Sequence, residues 1–149
     1  MGKQTHFIKL AVVFVGLCLA WPIPAAGEAV DTTSDPNYRP NRQAIEFLQQ
    51  VTDSVQIVVF HGTWCKDCQR EIPRFKKILE IADNPNIIVT EYEVNPQKKD
   101  ALGKFQEYQI TLVPTFIVIR DNQELGRITE TPQKSLEEDL AAILDGTDS

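Results

Sequence analysis

The sequence predicts an α/β protein with a mixed central sheet of about four strands, flanked by helices on both faces. Three observations carry that expectation. Val55 to Phe60 reads as a short continuous apolar strand covered by helices on both faces, Ile87 to Val94 as a strand opening on Ile87, Ile88 and Val89, and Thr115 to Ile119 as a strand rich in β-branched and aromatic residues. Segments with apolar residues at helical spacing alternate with them. After a polar leader the order is α-β-α-β-α-β-β-α, in which strands after crossover helices should be parallel and the last two form an antiparallel hairpin.

The first 27 residues stand apart. Lys3 and Lys9 are the only side-chain charges there, Leu10 to Trp21 is a continuous apolar run, and Pro22, Pro24, Ala25, Ala26 and Gly27 supply breakers and small residues. This is the layout of a secretory signal peptide. The run is too short for the roughly 20 apolar residues of a membrane span, so no stable membrane insertion is expected after cleavage. Cys18 falls in the segment to be removed. Residues 28–40 are polar, contain Pro36 and Pro40, and show no period, as in a flexible leader. Residues 41–149 are then the folded domain.

Within it, Asn41 can cap a first helix that runs to about Thr52 with Ala44, Ile45, Leu48 and Val51 as its apolar stripe. The strand Val55 to Phe60 leads through Gly62-Thr63 into a second helix, expected from about Trp64 to Asp83. Ile72, Phe75, Leu79 and Ala82 share its apolar face, and Pro73 must remove one backbone hydrogen bond. Asn84-Pro85-Asn86 turns the chain into the strand Ile87 to Val94. Asn95-Pro96 then opens a third helix, expected over Gln97 to Tyr108 with Leu102, Phe105 and Tyr108 on one face. Thr115 to Ile119 and Gln123 to Thr129 form a hairpin about Asp121-Asn122, two residues that tolerate left-handed backbone. Thr131-Pro132 starts the last helix, with Leu136, Leu140, Ile143 and Leu144 inward and Gly146 beyond its end.

A formal net charge of −6 argues against nucleic-acid binding, which needs a basic face. Chemistry gathers at Trp64-Cys65-Lys66-Asp67-Cys68. The processed chain would keep only Cys65 and Cys68, so it is not a disulfide-stapled scaffold. Two cysteines separated by two residues at a strand-to-helix joint are the pattern of a dithiol redox site. A purely structural bridge would close a tiny loop and stabilise little. Positions three apart on a helix share a face, and the unpaired N–H groups of a helix start favour a thiolate. Cys65, nearer that end, is expected to be exposed and to attack a substrate disulfide. Cys68, a turn further in, is expected to resolve the mixed disulfide. Lys66 should favour a Cys65 thiolate and Asp67 oppose it. His61, four residues before Cys65, either tunes the site, supplies a ligand or packs at a strand end. Glu91, mid-strand, is either a proton acceptor for Cys68 or an exposed strand position.

Trp64 before the cysteine pair, Pro73 five residues after it and Val113-Pro114-Thr115 at the start of the hairpin together resemble the thioredoxin-like superfamily, over about Asn41 to Leu144. The resemblance implies a thioredoxin-like fold, thiol–disulfide oxidoreductase activity without a cofactor, and a cis Pro114 facing the dithiol. It also implies a Val113 backbone free to pair with an extended substrate segment, the alternative for Pro114 being an edge-strand proline. Trp64, whose indole covers much area and keeps a polar edge, is either a partly exposed shield beside the sulfurs or ordinary core packing. The expected partners are disulfide-containing proteins and a membrane electron-transfer reductase. The expected location is outside the cytoplasm: periplasmic in a Gram-negative bacterium, otherwise secreted. The chain departs from the family in Lys66-Asp67 between the cysteines, and in Val59, where thioredoxins carry a buried carboxylate. It departs again in Asn122 and Glu130, near positions where glycine is usual. Three other readings stay open: a disulfide oxidant, a copper or zinc protein using Cys65, Cys68 and His61, and a redox-inactive binding module with a groove at Pro114.

Overall fold

Strand β1 (Val55–His61) sits at the centre of the sheet, and Val55, Ile57, Val58, Val59 and Phe60 are each exposed by no more than 1%. Both of its faces are therefore covered. The computed structural model describes residues 34–147; the expected signal segment 1–27, leader residues 28–33 and the last two residues lie outside them. Strand β2 (Ile87–Glu93) pairs parallel to β1 on one side. Strand β3 (Thr115–Arg120) pairs antiparallel on the other and is followed by β4 (Gln123–Thr129), giving the order β2-β1-β3-β4. The expected mixed sheet of four strands is present.

The direction of β3 is a correction. A crossover helix between β2 and β3 would have made β3 parallel, yet it runs antiparallel to β1. Phe60 lies opposite both Tyr92 near the end of β2 and Thr115 at the start of β3, so the chain leaves and re-enters the sheet at the same end. A parallel return needs a long crossover, and the third helix is too short to supply one. It is α3 (Lys104–Glu107), not 97–108. Lys98 and Gly103 adopt left-handed backbone, with φ of 58° and 70°. The Asp100 carboxylate accepts the N–H groups of Leu102, Lys104 and Phe105 at 2.8, 3.0 and 2.7 Å. A side chain that satisfies amides locally competes with the helix. Leu102 is consequently 71% exposed rather than packed.

Two layers cover the sheet. On one face lie α1 (Arg42–Gln49), α2 (Lys66–Ala82) and α4 (Leu136–Asp145), which pack against one another. Phe75 of α2 meets Phe116 of β3 with ring centroids 5.0 Å apart. Gly126 of β4 admits Ile143 of α4 so closely that a Cβ there would meet it at 3.1 Å. On the other face Phe60 stacks on Tyr92 at 5.1 Å and touches Tyr108 and Phe105 from the α3 segment. That cluster ties the 94–114 stretch to the sheet.

Helix ends differ from expectation for local reasons. α1 stops at Gln49 instead of Thr52, and the Asn84 amide donates to the carbonyls of Leu48 and Val51, both at 2.8 Å. α4 starts at Leu136 rather than Thr131-Pro132, because the Asp139 carboxylate accepts the amides of Gln133 and Lys134 and holds a loop there. Asn41 caps α1, Gly146 ends α4 with φ of 74°, and Asp121 and Asn122 turn the hairpin with φ of 53° and 60°, all as the residue types require. Within the described part of the leader, Asp35 N donates to the Pro73 carbonyl at 3.0 Å. The Tyr38 hydroxyl donates to Glu137 at 2.7 Å.

Asn84 joins the end of α1 to the turn after α2. Asn84→Ala should take this donor from the Leu48 carbonyl, while that of Val51 keeps the Asn86 amide at 3.0 Å, and cost about 1 kcal/mol. The check is a lower denaturant midpoint at an unchanged slope.

Candidate functional site

β1 delivers the chain to a turn closed by Cys65 N donating to the Gly62 carbonyl at 3.1 Å. α2 begins at Lys66, not at Trp64, so Cys65 precedes the helix as its N-cap, with extended backbone (φ −86°, ψ 124°). An N-cap needs a side-chain acceptor for the amide three residues on. Here the acceptor is sulfur: Cys65 Sγ receives the Cys68 N–H at 3.1 Å. The Val113–Pro114 bond is cis, and the Cys65 thiol donates to the Val113 carbonyl at 3.2 Å. That carbonyl is thus engaged by sulfur in the dithiol form rather than free. These two contacts turn Sγ inward, so Cys65 is only 7% exposed where an exposed thiol was expected. Cys68 lies deeper, at 3%, and accepts from Gly62 N at 3.5 Å. Both cysteines are unbridged.

Burial, and then the hydrogen bond with Cys65, push the Cys68 thiol up to about 12; the Gly62 amide works against them. Lys66 is exposed. Asp67 is ion-paired with Arg70 at 2.9 Å, and Arg70 also reaches the buried Glu71 at 2.6 Å. The Asp67 charge that was expected to oppose a Cys65 thiolate is therefore partly balanced by a neighbour. Sequence reasoning missed Arg70, although its spacing of three from Asp67 on a helix was the available signal. It also missed the reason for Gly62. A Cβ there would stand 2.5 Å from Trp64 Nε1 and 2.7 Å from the Val94 carbonyl. Those two atoms are hydrogen-bonded at 2.8 Å, which anchors an indole that stays 42% exposed.

His61 and Glu91 come together beside the dithiol, with Nε2 and Oε2 3.2 Å apart. Their hydrogen bond, against the effect of burial, holds the Glu91 carboxyl below the usual carboxylate range. Glu91 lies opposite Val59 in the register of β1 and β2, at an exposed strand position. A cavity of about 380 Å³ opens on this side, lined by His61, Gly62, Thr63, Cys68, Ile72 and Lys76 among others, and not by Glu91. Among the described residues, no three His, Cys, Asp or Glu side chains gather into a metal-holding group. The described helices are also too short or too polar to cross a membrane. What the arrangement offers chemically is two thiols in series: one at a helix start, the other a turn further in and lining the cavity.

Comparison with known proteins places this geometry. A family profile described as Thioredoxin matches residues 34–142. The chain is 27% identical to a thioredoxin of Staphylococcus aureus over 101 residues, which cover 67% of this chain and 88% of that protein. It is similar in fold to the crystal structure of PA1234, a protein of unknown function from Pseudomonas aeruginosa, with a TM-score of 0.56 and 21% identity. That match covers 73% of this chain and 76% of the other.

Gly62→Ala should force the indole off Val94 and destabilise the protein by about 1–3 kcal/mol, visible as a lower melting temperature and a weakened near-ultraviolet circular dichroism signal. A second expectation concerns pH. Between the ordinary thiol value of 9.0 and about 12 the folded dithiol keeps the Cys68 proton that the unfolded chain has lost. Unfolding then releases a proton, so stability should fall as pH rises through that window. Denaturant titrations should show the decline in the reduced protein and a smaller one in Cys68→Ala.

Proposed function

The chain belongs to the thioredoxin family, and from that premise we propose that it is an exported thiol–disulfide oxidoreductase that reduces disulfides of extracytoplasmic proteins or relays electrons between them. The observation that carries this reading is the placement of Cys65 Sγ: at the start of α2, accepting the Cys68 amide, beside the cis Val113–Pro114 bond. An amide donor and the positive end of a helix stabilise a thiolate, and the thiolate is the attacking species.

The steps balance as two thiol–disulfide exchanges. Cys65 thiolate attacks one sulfur of the substrate disulfide; that bond breaks, and the first substrate sulfur leaves with the electron pair and takes up a proton. Cys68 then loses its proton and attacks Cys65 Sγ. A Cys65–Cys68 bridge forms, and the second substrate thiol is released. The substrate gains two electrons and the dithiol loses two, so no cofactor is required. Re-reduction calls for an external dithiol, which outside the cytoplasm is the role of a membrane electron-transfer reductase. Trp64 and Leu112, each at least 40% exposed, adjoin Cys65 and Val113 in sequence, and an extended substrate segment would lie against them, with Val113 exchanging its contact to Cys65 for one to the substrate backbone.

Export rests on the basic, apolar and small-residue sequence of 1–27. The intact mass of the processed protein, expected to begin near Glu28, tests it. The oxidant reading differs only in direction, and the equilibrium potential against glutathione separates the two. A value nearer about −270 mV than about −120 mV supports the reductant, and the reverse overturns it. A copper or zinc site would need ligands that the described residues do not bring to the cysteine pair. Cys65→Ser should abolish insulin disulfide reduction. Cys68→Ser should instead trap a covalent mixed disulfide, seen as a mass increase that a reductant reverses.

A further inference from the structure

The redox reading leaves one demand unmet: Cys68 must lose a proton before it can resolve the mixed disulfide, and it is 3% exposed. We propose that His61 takes that proton and that Glu91 positions the imidazole for the task, because His61 and Cys68 line one cavity and His61 Nε2 lies 3.2 Å from the Glu91 carboxylate.

The cavity narrows the choice. Besides Cys68, its titratable lining groups are His61 and Lys76, and an ammonium has no lone pair to offer. Val59, on the central strand opposite Glu91, is apolar and can take no proton. His61 also adjoins Gly62, whose amide is the backbone donor to Cys68 Sγ. Glu91 Oε2 stands 3.2 Å from Nε2, so a neutral ring that turns its Nε2 hydrogen toward the carboxylate keeps the Nδ1 lone pair as the acceptor. A cavity of about 380 Å³ is large enough for a water to carry the proton between sulfur and ring. The charged and titratable groups around His61 are Glu91 and Glu93 on β2, Lys76 on α2 and the Cys68 thiol, which in turn feels Cys65 and Asp67. The elevated thiol of Cys68 makes an acceptor useful, since little thiolate forms unaided near neutral pH.

The step conserves atoms and charge. The Cys68 Sγ–H bond breaks, its proton ends on His61, and the sulfur keeps the electron pair. That pair forms the bond to Cys65 Sγ while the Cys65–substrate bond breaks. The leaving thiolate is then protonated by the imidazolium or by solvent.

The proposal rests on the redox reading above, and one experiment keeps their failures apart. Reduced protein is mixed with one equivalent of a nitrobenzoate disulfide, and release of the coloured thiolate is followed by stopped flow. The first phase reports attack by Cys65, the second resolution by Cys68. In His61→Gln the first phase should stay within about twofold of the parent while the second slows on the order of 100-fold, as loss of a general base does. The second phase of the parent should carry an acid limb that His61→Gln lacks and that Glu91→Gln moves. A second phase within about threefold of the parent in His61→Gln overturns the proposal. So does an unmoved acid limb in Glu91→Gln, which serves if His61→Gln does not fold. Absence of the first phase in the parent overturns the redox reading itself.

Discussion

The contact on which the site depends is the one between Cys65 Sγ and the Val113 carbonyl. It joins residues 48 positions apart, and only the reversal of β3 against β1 makes it possible. Had the chain recrossed the sheet between β2 and β3, residues 113–114 would lie at the opposite end from the cysteines. The buried central strand sets that geometry. Its C-terminal end presents the 62–65 turn, and its register with β3 places Thr115 beside Phe60. The aromatic cluster of Phe60, Tyr92, Phe105 and Tyr108 then holds the 94–114 connection in place.

Much of this was legible in the sequence, because the central strands β1 and β3 are apolar on both faces and the caps carry side chains with one evident use. Asn41, Gly146 and Asp121-Asn122 are local devices whose chemistry does not depend on distant contacts. The dithiol was visible as spacing, and Pro114 through the resemblance to the thioredoxin-like superfamily. The misses share a cause. Asp100 and Asp139 each use a carboxylate to bind backbone amides of a loop, and that competes with helix in a way hydrophobic period does not report. The start of α2 moved because a cysteine serves as its cap, an office usually given to oxygen. The reversal of β3 was hidden because it follows from the loss of a long α3.

Charge around the cysteines was only half legible. Lys66 and Asp67 were in plain view, but Arg70 redistributes the acidic side by bridging Asp67 to the buried Glu71. The pairing of His61 with Glu91 needed the parallel register of β1 and β2, which brings two residues thirty positions apart onto one face. Each residue had more than one reading in the sequence, and each lacked a neighbour until the sheet supplied it.

The anchored indole of Trp64 has a practical corollary. Trp21 belongs to the segment expected to be cleaved, so the processed polypeptide would carry a single tryptophan, held against Val94 and adjoining the first sulfur in sequence. Thiols and cystines quench indole emission to different degrees. The molecule therefore contains its own optical gauge, and the oxidation state of the pair can be followed by light without a label.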